Sequence, residues 1–203
     1  MIHVENLSNN WGDFTLKDIS LDIKENEYFV ILGPTGAGKT LLLEIIAGLY
    51  FPKKGKVIIN GEDMTFTPPE NRGLGFVYQD FALFPHLNVK KNIEYGLKLR
   101  KVPEEEREKK ISELVKMLKI NHLLHRNTET LSGGEKQKVA LARALAINPK
   151  IILMDEPFSA LDENTKSKLI SDMKELHKTE GVTFVHVTHS QEEAILLADR
   201  IGI

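Results

Sequence analysis

The sequence predicts an α/β fold in which a parallel sheet, flanked by helices, carries a phosphate-binding loop. Three observations lead to this prediction. A glycine-rich loop separates a short apolar run from a helical run over residues 27–48. Strand-like and helical segments alternate after residue 149, as expected of parallel strands joined by right-handed crossovers. Between about residues 80 and 149 helical patterns replace strands, which indicates an inserted helical unit.

The N-terminal segment has the pattern of an antiparallel layer. His3 to Leu7 and Phe14 to Ile23 read as strands on either side of a turn at residues 9–12. A third strand, Lys56 to Ile59, ends at Asn60-Gly61, a dipeptide typical of tight hairpins. We therefore expect a small antiparallel sheet beside the phosphate-loop unit.

The glycine-rich loop is the clearest functional signal. It follows the apolar run Glu27 to Leu32 and precedes the helical run Leu41 to Gly48. It fits the pattern G-x-x-x-x-G-K-[ST] at every fixed position, with the residues Gly33-Pro34-Thr35-Gly36-Ala37-Gly38-Lys39-Thr40. Backbone N–H groups at such a loop and helix N-terminus cradle anionic phosphates. Lys39 can reach the terminal phosphates and the Thr40 hydroxyl can ligate Mg²⁺, so the sequence predicts a nucleotide site.

The middle of the chain is predicted to contain one more strand, followed by two helices. Leu74 to Tyr78 is an apolar β-type run that ends at Gln79, which could contact the metal or water from the side. Pro103 and the acidic residues after it begin a helix, and Ser132 begins another that ends before Pro149. The apolar stripe of the first helix consists of Ile111, Leu114, Val115 and Leu118.

The apolar strand Ile151 to Met154 leads into two adjacent carboxylates, Asp155 and Glu156. At the carboxyl edge of a parallel sheet such residues face the ligand crevice. One carboxylate can hold Mg²⁺ and its neighbour can take the proton from an attacking water. Acidic pairs after strands also occur as helix caps. The phosphate loop elsewhere in the chain favours the catalytic interpretation.

The last third of the chain continues the alternation. A helix ends at Gly181, and Val182 to Thr188 reads as a strand. Ser190 and Glu193 fit a capping box for the last helix. A new apolar strand begins within residues 199–203, which suggests an incomplete chain.

The stretch Leu131-Ser132-Gly133-Gly134-Glu135 is the second informative motif. Ser132 and Glu135 fit a capping box, which would be a purely structural role. Two glycines inside that box are costly for a helix start and need a further reason. Bare N–H groups at a helix N-terminus form an anion site, so the chain would carry two phosphate-binding elements. Two subunits could pair head to tail, each offering this helix tip to the other's nucleotide.

Composition excludes several classes of function. The formal net charge of −2 argues against a nucleic-acid binder with a broad basic face, and the absence of cysteine excludes disulfides and thiolate chemistry. No apolar run approaches the ~20 residues that a membrane-spanning helix needs, and the N-terminus lacks a signal-peptide pattern. These features predict a cytosolic protein whose membrane role, if any, depends on a partner.

Taken together, these motifs resemble those of the nucleotide-binding subunits of ATP-binding-cassette transporters. The resemblance implies a P-loop NTPase (RecA-like) core of residues 1–79 and 150–203 with an antiparallel β subdomain, and an inserted α-helical subdomain at 80–149. It implies that Glu156 is the catalytic glutamate, His189 the switch histidine that contacts the γ-phosphate, Gln79 the Q-loop residue and Ser159-Ala160-Leu161-Asp162 the D-loop. Trp11 would stack on adenine, although core packing is its alternative role.

The same resemblance implies how the subunit works. ATP and Mg²⁺ would lie between two copies, with Ser132, Gly133 and Gly134 acting on the partner's nucleotide. A permease, and through it a solute-binding protein, would dock at the apolar segment Phe81 to Leu87, whose rings could instead pack inside the helical unit. The stretches Tyr28 to Thr40 and Phe84 to Asn92 resemble archaeal-type molybdate/tungstate import ATPases, placed on the inner face of the membrane. We expect their C-terminal regulatory domain to be absent here.

Three functions remain as alternatives at this point. A soluble cassette protein of repair or translation would need coiled-coil insertions or a second cassette, and the sequence has neither. A kinase or GTPase would leave Leu131 to Glu135 unexplained and would lack a guanine-reading N-K-x-D motif. An importer ATPase for another solute fits equally well, because none of these residues would touch the transported solute.

Overall fold

The structure, a computed structural model, describes residues 1–203 and contains nine strands and six α-helices. The strands are β1 (Ile2–Asn10), β2 (Thr15–Ile23), β3 (Tyr28–Leu32), β4 (Lys54–Ile59), β5 (Glu62–Asp63), β6 (Gly75–Val77), β7 (Ile151–Asp155), β8 (Thr183–Thr188) and β9 (Arg200–Gly202). The helices are α1 (Lys39–Ala47), α2 (Val89–Leu99), α3 (Glu104–Met117), α4 (Gly133–Ala146), α5 (Glu163–Glu180) and α6 (Gln191–Leu197). No helix combines the length and apolar character needed to cross a membrane.

A five-stranded sheet in the order β6-β7-β8-β3-β9 forms the centre, and all its neighbouring strands are parallel. Leu32 pairs with Thr188 and Asp155 pairs with Val187, so β3, β7 and β8 end at one edge. The loops that follow these three strands carry the glycine-rich loop, the two carboxylates and His189. The parallel register therefore gathers the predicted site residues at one end of the sheet.

The second sheet is antiparallel, in the order β2-β1-β4-β5, as the N-terminal pattern predicts. Its β4–β5 hairpin turns at Asn60 and Gly61, whose φ angles are 54° and 82°. Two positive φ values at the centre of a two-residue turn are typical of type I′, which explains the Asn-Gly dipeptide.

The parallel sheet separates two apolar cores. Alternate residues of β7 face opposite sides, with Ile152 and Met154 in one core and Ile151 and Leu153 in the other. The first core is completed by helices α2 to α6, and the second by α1 and the antiparallel sheet. Burial on both faces explains why β7 is almost continuously apolar.

Most elements expected from the sequence are confirmed to within a few residues, including the strand at the C-terminus. Helix α2 was not predicted, although Asn88 caps it and Val89, Ile93 and Leu97 form its buried stripe. The expected capping box at α6 is half wrong. Ser190 does cap the helix by accepting from the Glu193 N–H, but the Glu193 side chain bonds to Thr188 and Lys166 instead.

Candidate nucleotide-binding site

A cavity of about 500 Å³ lies at the carboxyl edge of the parallel sheet. Three strand ends contribute to it: the loop after β3, the segment after β6 and the segment after β7. Its lining consists of Phe14, Thr35, Gly36, Gly38, Lys39, Thr40, Leu41, Gln79 and Glu156. The structure thus brings together the glycine-rich loop, Gln79 and Glu156, which lie far apart in the sequence.

The backbone of the glycine-rich loop has the conformation that its glycines allow. Gly36 and Gly38 have φ angles of 84° and 88°, which disfavour any residue with a Cβ. A Cβ at Gly38 would also lie within 2.4 Å of the Phe14 ring. Gly38 is the N-cap residue of α1 and has no side chain to cap it, so the N–H groups of the first helical turn stay available for an anion.

The Lys39 side chain curls back into the loop and is buried. Its Nζ donates to the carbonyl oxygens of Gly33 and Pro34 at 2.9 and 3.0 Å. No carboxylate oxygen lies within 4.0 Å of this ammonium group. Carbonyl dipoles hold the lysine in place without neutralising it, so its full charge remains available for phosphate.

The Thr40 hydroxyl donates to Asp155 Oδ1 at 2.9 Å, which brings two oxygen ligands together at the cavity wall. Burial raises the pKa of Asp155, and the neighbouring Glu156 carboxylate adds to the rise. A hydroxyl and carboxylates are hard oxygen donors that suit Mg²⁺. No group of three or more His, Cys, Asp or Glu side chains forms a metal site here. The residues therefore fit a magnesium ion that takes its remaining ligands from phosphates and water.

Glu156 follows β7 with a φ of 40°, a left-handed conformation that is uncommon for a residue with a side chain. Its N–H donates to Val187 O at 3.0 Å, which ties it to β8. Its Oε2 atom lies 3.1 Å from Nδ1 of His189, so the two predicted catalytic residues are in contact. His189 itself does not line the phosphate cavity. It lines a neighbouring cavity of about 280 Å³, which Glu156 also borders.

The aromatic residue that borders the phosphate cavity is Phe14, which the sequence reasoning missed as a site residue. Phe14 has only the pattern of a strand residue, and its contact with Gly38 depends on tertiary packing. Trp11 is half-buried outside the lining and packs edge-on against Tyr50, with ring centroids 6.0 Å apart. Its adenine-stacking role remains a prediction.

Ser132 caps α4 through a complete capping box. Its N–H donates to Glu135 Oε2 at 2.7 Å, and its Oγ accepts from the Glu135 N–H. Gly134 is buried, and a Cβ there would lie 2.4 Å from Cγ2 of Thr165. Close packing on α5 is therefore one reason for the glycine, and only Ser132 and Gly133 are accessible. No residue of 131–135 lines the phosphate cavity of its own chain.

The segment 81–87 is held by polar contacts from α2, where Asn92 Oδ1 accepts from the Phe84 N–H at 2.9 Å, and from α4. Arg143 donates to the carbonyl oxygens of Ala82 and Phe81 at 2.6 and 3.0 Å and lies over the Phe84 ring. Phe81 and Ala82 both have positive φ angles, 66° and 44°. Phe81 and Leu83 are half-buried against the helical core, whereas Pro85 and His86 are exposed. The segment thus mixes half-buried and exposed residues.

This combination of a parallel sheet, a glycine-rich loop and a carboxylate pair at the sheet edge defines a P-loop NTPase fold. Comparison with known proteins identifies the family within this class of fold. The family model described as ABC transporter matches residues 16–159. The chain therefore belongs to the ABC transporter family.

Curated relatives and solved structures agree with this assignment. The chain is 55% identical to the molybdate/tungstate import ATP-binding protein WtpC of Pyrococcus abyssi, over the whole chain and 59% of that protein. It is 45% identical to the spermidine/putrescine import ATP-binding protein PotA of Bacteroides thetaiotaomicron, over the whole chain and 44% of that protein. The chain thus spans about three fifths of the first of these relatives.

The solved structure of the ATP-binding cassette MJ0796, a dimer in a post-hydrolysis state bound to ADP and Pi, is similar to this fold. The TM-score is 0.85 at 36% identity, and the match covers 97% of this chain and 91% of that one.

Proposed function

We propose that this chain is the ATP-hydrolysing subunit of an ABC importer, with ATP as substrate and Mg²⁺ as cofactor. One observation carries the proposal. Lys39, Thr40, Gln79 and Glu156 all line one cavity, and the Thr40 hydroxyl donates a hydrogen bond to Asp155. These groups are a counter-charge for phosphate, two hard ligands for magnesium and a carboxylate base. They are the parts that phosphoryl transfer to water requires.

Each residue has a defined task in this proposal. Lys39 leaves the carbonyls of Gly33 and Pro34 and turns to the β- and γ-phosphates. Thr40 and Asp155 hold Mg²⁺, which would neutralise charge on the phosphates when bound. Glu156 accepts the proton of the attacking water, and His189, already in contact with Glu156, orients that carboxylate and the γ-phosphate. Gln79 lies exposed at the cavity wall, where it can contact the water or the metal.

We further propose that the working unit contains two copies and a permease. Ser132 and Gly133 are accessible yet remote from the phosphate cavity of their own chain, which favours action on a second copy. The dimeric state of the similar cassette supports this arrangement. The permease would dock at residues 81–87 of the helical subdomain 80–149. This docking would place the chain on the cytoplasmic face of a membrane, with a solute-binding protein acting through the permease.

Phosphate release from ATP by the purified chain tests the catalytic part of the proposal. We expect turnover that depends on Mg²⁺ and stops when EDTA removes it. Binding of ATP without any Mg²⁺-dependent phosphate release, at protein concentrations that allow dimers to form, would contradict the proposed activity.

The proposed cargo is molybdate or tungstate, because relatives that are 50–55% identical to this chain carry that name. A second candidate is another solute, since relatives named for spermidine/putrescine and sulfate/thiosulfate import are also 45% identical. The test reconstitutes the chain in vesicles with the permease that co-purifies with it and the matching solute-binding protein. Tungstate should stimulate ATP hydrolysis, and sulfate and spermidine should not. Stimulation by sulfate or spermidine but not by tungstate would assign another cargo.

A further inference from the structure

A buried polar cluster lies directly behind the loop that carries His189, outside the phosphate cavity. Its centre is the carboxylate of Glu193, the third residue of α6, which is 5% exposed. Lys166 Nζ lies 2.9 Å from Oε1 of Glu193. Thr188 Oγ1 donates to Oε2 at 2.6 Å, and His186 Nε2 lies 3.4 Å from the same oxygen. A carboxylate this deeply buried is costly unless such partners satisfy it.

The contacts of Glu193 fix the backbone on both sides of His189. Thr188, the residue before His189, uses its hydroxyl hydrogen for Glu193 and accepts from the Ser190 N–H at 3.0 Å. Ser190, the residue after His189, accepts from the Glu193 N–H. Both neighbours of His189 in the chain, Thr188 and Ser190, are therefore hydrogen-bonded to Glu193. Its ring then reaches Glu156 at 3.1 Å.

Lys166 connects the same carboxylate to the other segment that borders Glu156. It lies in the first turns of α5, whose N-terminal cap is Asp162. Just before this cap, the Ser159 hydroxyl donates to the Glu156 carbonyl oxygen at 2.9 Å. The Lys166–Glu193 ion pair therefore joins the helices that follow two loops, 159–162 and 188–190, each of which has a contact with Glu156.

We infer that Glu193 is a positioning residue that, together with Lys166, locks the His189 loop to the start of α5. This inference rests on the proposed ATP hydrolysis for its effect on turnover. Neither side chain lines the phosphate cavity, and both border the neighbouring cavity of about 280 Å³ together with His189 and Glu156. Their task is to hold the His189 ring against Glu156 and to make the two loops move together.

The test compares four variants of the full chain in steady-state ATP hydrolysis. Glu193→Gln and Lys166→Met keep the size of each side chain but remove its charge, and each should lower kcat about 10-fold. ATP affinity and KM should stay within about twofold, because the cavity is untouched. Lys166→Arg keeps the charge and should restore kcat to within about twofold of the original.

Glu27→Gln is the matched control. Glu27 is also a buried carboxylate in an ion pair, with Arg200 at 3.0 Å, but it precedes β3 at the opposite end of the sheet from the cavity. The Glu27→Gln variant should leave kcat unchanged. Equal kcat for Glu193→Gln and the original chain, or a fall as large for Glu27→Gln, would overturn the inference. Lys166→Met carries the test if Glu193→Gln does not fold.

Amide hydrogen exchange provides a readout that does not depend on ATP turnover. Removing either charge should speed exchange at least 10-fold in both 159–162 and 188–190, whereas Glu27→Gln should not. Faster exchange in only one loop would overturn the inference. If the original chain hydrolyses no ATP, the proposed function fails, and the exchange result still decides whether the two loops are coupled.

Discussion

Lys39 and the two adjacent carboxylates, Asp155 and Glu156, carry opposite charges at the same sheet edge, yet no ion pair joins them. Lys39 is bonded to neutral carbonyls and Asp155 to a hydroxyl. A direct ion pair would have to be broken before phosphate could bind, at a cost of several kcal/mol for buried charges. Keeping the charges apart leaves the lysine free for phosphate and the carboxylates free for a cation.

Lys39→Ala should weaken ATP binding about 10- to 100-fold, because a hydrogen bond to a charged group contributes about 1.5–3 kcal/mol. Nucleotide titration by calorimetry measures the change directly. Lys54→Ala, which removes an exposed lysine on β4, is the control and should bind ATP as the original chain does. Unchanged affinity in Lys39→Ala would show that this ammonium does not bind the phosphates.

Glu156→Gln should retain ATP binding and lose about 10²-fold or more in turnover, as expected when a general base is removed. The amide keeps the size of the side chain, so the left-handed backbone at this position is unaffected. Single-turnover hydrolysis separates the chemical step from product release. A variant with near-normal turnover would exclude Glu156 as the base.

Glu193 gives a pH-dependent contribution to stability. Burial alone would raise its pKa, but the nearby His186 ring, the Thr188 hydroxyl and the Lys166 ammonium outweigh it and lower the pKa to about 2. A carboxyl whose pKa falls on folding stabilises the native state above its unfolded pKa, and this contribution disappears as the pH falls through the folded value. Between about pH 4.5 and 2 the protein should therefore lose on the order of 3 kcal/mol through this group.

Urea unfolding at a series of pH values tests this expectation. The stability difference between the original chain and Glu193→Gln should be constant near neutrality and shrink as the pH falls below about 4.5. A difference that grows on acidification would contradict the assigned direction of the pKa shift.

At the scale of elements, α4 and α5 pack so closely that one glycine is required. Gly134→Ala would normally gain about 0.5–1 kcal/mol in a helix, but here the new methyl would lie 2.4 Å from Thr165 Cγ2. Overpacking of this kind costs about 1–3 kcal/mol, so we expect net destabilisation. Chemical denaturation measures it. Adding Thr165→Ser, which removes the opposing methyl, should recover most of the loss, and a double variant no better than Gly134→Ala would refute the clash.

These contacts show which features the sequence can predict. The strands β3, β7 and β8 and the glycine-rich loop follow from local periodicity and spacing, because each pattern is complete within a few residues. The contact of Phe14 with Gly38 and that of Gly134 with Thr165 join residues more than 20 positions apart. The sequence shows that a glycine is present at each place, but only the packed structure shows which atom excludes a Cβ.

Contacts between distant residues also explain why the capping box expected at α6 is half wrong. Ser190 and Glu193 have the spacing of a capping box, and local geometry would allow one. Lys166 and Thr188 offer the Glu193 carboxylate a buried cation and a hydroxyl, which are stronger partners than the neutral Ser190 N–H, and that N–H donates to Thr188 instead. Tertiary structure thus overrides a local motif, and no local signal in 190–193 reveals the ion pair.

At the scale of the whole molecule, we propose that the site is complete only in a pair of chains. Ser132→Arg places a bulky cation at the tip of α4, and it should spare ATP binding to the monomer but abolish hydrolysis by the pair. Glu156→Gln should also be inactive by itself. Mixing the two variants should recover activity, because one of the two shared sites then combines an intact Glu156 with an intact Ser132.

Phosphate release by the mixture, compared with each variant alone, measures this recovery. A mixture of Glu156→Gln with Lys39→Ala is the control, since both changes affect the same half of the site and no intact combination arises. If Ser132→Arg alone retains full activity, the shared-site arrangement is wrong.

Helix α4 joins two distant parts of this molecule. Ser132 caps its first turn, and Arg143 in its last turn holds the Phe81 and Ala82 carbonyls. Fourteen residues of α-helix form a stiff rod about 20 Å long. We therefore expect α4 to move as one unit, so that a displacement of Ser132 also displaces the segment 81–87. In the proposed assembly, α4 would connect the surface that contacts the second chain with the surface that contacts the permease.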